Sequence, residues 1–62
     1  MTDTQRAALR AHLGKQDYHS LREIHCENTG YDGPPYTADE LTNGIMSLPD
    51  DVLESIMKAE GI

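Results

Sequence analysis

The sequence predicts an all-α fold, a single small domain of three to four short helices with one Gly/Pro-rich loop. Three observations carry that expectation. The chain has 62 residues, enough for one domain only, and a domain of that size buries only about 60% of the surface its unfolded chain exposes. Its apolar residues recur at helical spacing in four segments, each bounded by a capping residue, a glycine or a proline. The alternation of apolar and polar residues that marks a half-buried strand is missing outside those segments, although residues 31–36 can form a short extended piece.

The elements follow in order. Thr2 or Thr4 can cap a first helix running to about Leu13, with Leu9 and Leu13 one turn apart and Gly14 placed to end it. A second opens at Asp17 or at Ser20, where Ser20-Leu21-Arg22-Glu23 has capping-box spacing, and closes near Asn28 with Gly30 beyond it. Tyr18, Leu21, Ile24 and His25 share one face of that helix, and His19, Glu23 and Glu27 take the other. Thr29 to Tyr36 contains two glycines and two consecutive prolines, which favour turns and remove donors, so it reads as the main loop. The third helix starts at the capping box Thr37-Ala38-Asp39-Glu40 and places Ala38, Leu41, Ile45 and Leu48 on one face. Gly44 weakens it by about 1 kcal/mol relative to Ala. The fourth starts around Ser47-Leu48-Pro49-Asp50, with Ser47 capping and Pro49 in the first turn. Its wheel sets Val52, Leu53, Ile56 and Met57 against Asp50, Asp51 and Glu54.

With three Tyr and no Trp or Phe, the core is aliphatic: Leu9, Leu13, Tyr18, Leu21, Ile24, Leu41, Ile45, Leu48, Val52, Leu53, Ile56 and Met57. Such a set suits a few packed helices but leaves no room beside it for an enclosed substrate cavity of about 300 Å³. A core so poor in aromatics also draws at least one of Tyr31 and Tyr36 inward.

Charge is distributed unevenly. Residues 1–31 carry four acids and four bases, whereas residues 32–62 carry seven acids and one base, so the whole net charge of −6 belongs to the second half. Asp39, Glu40, Asp50 and Asp51 lie in first turns, where a negative charge gains roughly 0.3–1 kcal/mol from the helix dipole. Dipole chemistry does not explain Asp32, Glu54 and Glu60, nor the lack of balancing lysines and arginines in the same stretch. An electronegative side of this kind attracts cationic partners over about a Debye length, roughly 8 Å at physiological salt, and repels nucleic acid and anionic membrane.

Chemistry-bearing motifs are lacking. His12, His19, His25 and Cys26 are the soft-metal ligands available, but His19 and His25 fall on opposite faces of one helix and no paired-ligand spacing emerges, so no metal or other cofactor is expected. Cys26 adjoins a histidine in sequence only, and Asp50 and Asp51 lie on an exposed helix start, so neither nucleophilic nor acid–base catalysis is expected. A lone thiol suits a reducing compartment. Neither a secretory start nor a run of about 20 apolar residues is present, which points to a cytoplasmic location.

Two resemblances bear on function. Leu48-Pro49-Asp50-Asp51-Val52-Leu53-Glu54-Ser55-Ile56 looks like the opening of an F-box, the module that recruits substrates to cullin-based ubiquitin ligases. It covers nine residues of 62, and convergent helix-start chemistry accounts for it. In size, acidity and lack of enzymatic motifs the whole chain is similar to small anti-CRISPR proteins of phages and mobile elements, particularly those that inhibit type I complexes as acidic nucleic-acid mimics. That likeness implies that Asp39, Glu40, Asp50, Asp51 and Glu54 engage lysines and arginines of a CRISPR effector subunit and block target DNA binding without chemistry, in the host cytoplasm.

The expectation is therefore a monomeric, non-enzymatic inhibitor that docks on a basic nucleic-acid-binding protein through Asp32, Tyr36, Asp39, Glu40, Asp50, Asp51 and Glu54, with no direct nucleic-acid contact. Affinity would come from a desolvated centre drawn from Tyr31, Tyr36 or Met46. The alternative is a small interaction or regulatory module that uses apolar helix faces.

Overall fold

Three of the described helices begin where a side-chain oxygen accepts from a first-turn N–H, and the fourth begins at a proline. The computed structural model describes residues 1–31, 33 and 36–62, and among them it contains four helices and no strand: α1 (Asp3–Gly14), α2 (Tyr18–Thr29), α3 (Ala38–Met46) and α4 (Asp50–Glu60). Thr2 is the cap of α1, because Gln5 lies three residues on. Thr2 Oγ1 accepts from the Gln5 amide at 3.1 Å, and Gln5 Oε1 accepts from the Thr2 amide at 2.8 Å. Asp17 rather than Ser20 opens α2, its Oδ1 accepting from the Ser20 amide at 2.7 Å. Thr37 and Glu40 form the box expected for α3, with both bonds at 3.1 Å.

Two boundaries differ from the sequence expectation. Ser47 does not cap α4; it closes α3, donating its amide to Asn43 O at 3.1 Å and its hydroxyl to the same oxygen at 2.8 Å. A serine committed to the end of one helix has no oxygen aimed at the start of the next. Pro49 instead leads α4 with φ −58° and no side-chain cap. Gly14 lies inside α1, which Lys15 ends in a right-handed conformation, whereas Gly30 ends α2 at φ +69° and donates to Cys26 O at 2.8 Å.

The buried core is Leu9, Leu13, Leu21, Leu41, Ile45, Met46, Leu53 and Ile56, with Met1, Ile24, Tyr36, Leu48, Val52 and Met57 packed half-buried around it. Helix α3 is the central element, packed chiefly on α2 and next on α1. Its buried stripe is therefore two residues wide, Leu41 and Thr42 followed by Ile45 and Met46, rather than the single row from Ala38 to Leu48. Met46, expected to be available to a partner, is 6% exposed for this reason. Tyr18, expected inside, is 41% exposed. It is the first residue of α2, and helical side chains lean toward the N-terminus, which carries its ring off the end of the core.

Polar contacts give the directions. Arg6 Nη2 donates to Met46 O at 3.1 Å and Arg10 Nη1 to Asn43 Oδ1 at 3.1 Å, so α1 and α3 run antiparallel. Arg6 Nη1 donates to Asp50 Oδ1 at 3.0 Å and His12 Nε2 meets Glu60 Oε1 at 2.9 Å, so α1 and α4 lie side by side and parallel. Among the described residues no helix is long and apolar enough to cross a membrane.

Candidate acidic surface

Five of the seven acids of the second half fall into two groups at opposite ends of α3. Asp39 and Glu40 occupy its first turn. Asp50, Asp51 and Glu54 occupy the start of α4, beside the end of α3, since the guanidinium that holds Asp50 also holds Met46 O. From Asp39 to the end of α3 at Met46 the helix rises about 10 Å at roughly 1.5 Å per residue, more than a Debye length of about 8 Å. They form two foci rather than one row. Asp32, the remaining carboxylate of the expected site, lies outside the described residues.

The two groups differ in what holds them. At the start of α4, Asp50 is bridged by Arg6 at 3.0 Å and by the Met1 amino group at 3.4 Å, and Glu54 approaches that amino group at 3.8 Å. Both side chains nevertheless stay more than half exposed, at 56% and 59%. The Asp51 side chain takes no partner among the described residues and points to solvent. At the start of α3, Glu40 uses Oε1 on the Thr37 amide and keeps Oε2 open, and the exposed Asp39 carboxylate makes no hydrogen bond or ion pair among the described residues. Glu60 is not part of either face, since it is half-buried against His12.

Tyr36 links the second group to the core. It is half-buried and its ring lies 5.9 Å from that of His25 and 6.1 Å from that of Tyr31. Hydrogen bonding with Tyr31, then burial and the negative charge of Glu40, push the Tyr36 phenol up, so it remains protonated at neutral pH. Tyr31 is 52% exposed, and its ring fills the space that a Cβ on Gly33 would take. One tyrosine has thus folded inward and one has not, as the lack of other aromatics requires.

His25, Asn43 and Gly44 join Tyr36 and Glu40 around an open groove of about 390 Å³ between α2 and α3. Sequence reading treated Gly44 only as a weak point in a helix. A Cβ there would lie 3.1 Å from His25 Nε2, so the glycine is what lets the imidazole pack against α3. The available signal was the pairing of a mid-helix glycine with a histidine on the core-facing side of the preceding helix.

Among the described residues no group of three or more His, Cys, Asp or Glu side chains could hold a metal ion. Cys26 is a half-buried free thiol sharing a shallow depression with His19, Arg22 and Glu23, four residues of one outer face of α2. No protein-family model, curated protein or solved structure matches the chain.

Proposed function

We propose that the protein is a non-enzymatic inhibitor whose acidic surface occupies a basic nucleic-acid-binding site on a larger partner, the role implied by its likeness to small acidic anti-CRISPR proteins. The observation that carries this reading is the division of labour among charges. Arg6 and Arg10 are bonded to groups on α3 and α4, while Asp39, Asp51 and one oxygen of Glu40 are exposed with no cation against them among the described residues. Leu41, Ile45, Met46, Leu53 and Ile56 of α3 and α4 are used in the core, which favours the charged surface over the alternative of an apolar helix face.

Asp39→Lys combined with Asp51→Lys tests the proposal, because both positions lack ion pairs among the described residues and both are exposed, so their reversal leaves the core untouched. Partner captured from native cytosol at low salt should bind nucleic acid, release this protein when excess duplex DNA is added, and fail to retain the folded double variant. Retention that withstands duplex DNA, or equal retention of the double variant, would overturn it.

A further inference from the structure

The groove between α2 and α3 combines features that acidity alone does not provide. One wall is aromatic, formed by Tyr36 with His25 tilted against it at 55°. The other is polar, formed by Glu40 and Asn43, with Gly44 lying against the His25 imidazole. Glu40 has an unused carboxylate oxygen, since its capping bond to the Thr37 amide takes only Oε1. Asn43 Oδ1 accepts from Arg10 at 3.1 Å and has a second lone pair.

We propose that this groove receives one arginine side chain of the basic partner, its guanidinium stacked on the Tyr36 ring and donating to the open oxygen of Glu40. The inference rests on the reading above that the partner is basic, and it names the desolvated centre of that contact. A flat cation with several N–H donors matches an aromatic face beside a carboxylate, whereas a compact ammonium gains less from stacking. An anion would meet Glu40 directly. The groove's volume of about 390 Å³ admits one long side chain laid along it.

A ¹H–¹⁵N NMR titration of the full chain with the capped peptide Ac-Gly-Arg-Gly-NH2 provides the test, with the citrulline peptide as its neutral isostere. Saturable shifts should centre on the Glu40, Asn43 and Gly44 amides, and citrulline should bind at least about tenfold more weakly, the loss expected for a charge-assisted pair. Tyr36→Leu, which keeps an apolar contact with the core, should weaken the arginine peptide by about fivefold or more. Glu40→Gln should weaken it similarly while preserving helix α3, because glutamine also completes a capping box.

Three results would overturn the inference: no saturable shift, equal binding of the citrulline peptide, or shifts confined to Asp50, Asp51 and Glu54. None of these touches the competition with duplex DNA, so the acidic-surface reading would survive them. Conversely, an arginine seated in the groove together with a partner that duplex DNA does not displace would retain the groove and remove the mimicry.

Discussion

The starts of α3 and α4 carry the same sequence chemistry, two acids in a first turn, yet the molecule uses them differently. At α4, Asp50 meets Arg6 and the Met1 amino group, 44 and 49 residues away in the chain, and so ties α1 to α4, while the Asp51 side chain has no partner among the described residues. At α3 the contact is local: Glu40 completes its own capping box and Asp39 meets no cation among the described residues. Two acidic helix starts, one behind a capping box and one behind a proline, therefore divide into a tertiary clamp and a free focus of charge. The division follows from neighbours rather than from the acids themselves, since antiparallel α1 brings its arginines toward the far end of α3.

The largest expected effect separates apolar attachment from ionic attachment. Leu53 is fully buried, and Leu53→Ala should cost about 2–5 kcal/mol, enough to unfold much of so small a domain on chemical denaturation. A loss below about 1 kcal/mol would mean that ion pairs, not the core, hold α4. Next in size is Asp39→Lys. It should lower partner affinity at least about tenfold, or about 1.4 kcal/mol, while moving folding stability by no more than roughly 1 kcal/mol through the helix dipole. Equal losses of stability and affinity would erase the distinction between the two helix starts.

The clamp at α4 is smaller. Asp50→Ala and Arg6→Ala should each lower stability, with a coupling energy of about 0.5–1 kcal/mol in a double-mutant cycle, because the pair is exposed. Zero coupling would leave Asp50 as free a charge as Asp39. Gly44→Ala tests the groove in the same frame: the helix gains roughly 1 kcal/mol in propensity, while the new methyl presses on His25 from 3.1 Å. Net stability should therefore change little, and the His25 ring resonances should shift. Unmoved ring resonances would show that the imidazole does not rest on α3.

Much of this architecture was legible because helix boundaries depend on a few neighbours in the chain. Thr37 and Glu40 announce α3 three residues apart, and Gly30 announces the end of α2. Positions that depend on which helix lies in the middle were not legible. Burial of Met46 and Thr42 follows from α3 being flanked by both α1 and α2, and a single wheel predicts only one stripe. The same limit applies to the site. That Asp50 and Asp39 are both acidic is local information, but that Arg6 reaches one and not the other depends on the antiparallel path of α1. Gly44 and His25 lie nineteen positions apart, and their contact is a tertiary fact whose only local trace is a glycine inside a helix.

Asp17 supplies a third use of an acid at a helix start and the smallest effect. Its carboxylate is exposed, caps α2 and has no part in either focus. Hydrogen bonding from the Ser20 backbone, then from the Ser20 side chain, with a minor contribution from His19, holds it below the ordinary value of 3.8 despite slight desolvation. A folded value below the unfolded one means that the ionised cap stabilises the protein fully above about pH 4 and ceases to do so as pH falls through the folded value. Asp17→Asn retains the capping oxygen and removes the titration. The thermal midpoint of the wild type should exceed that of the variant by a small margin at pH 6, and the margin should shrink as pH falls below the ordinary value of 3.8 and through the lower folded value. A difference that stays constant from pH 7 to pH 3 would show that Asp17 caps through geometry alone, leaving negative charge without a role at this third helix start.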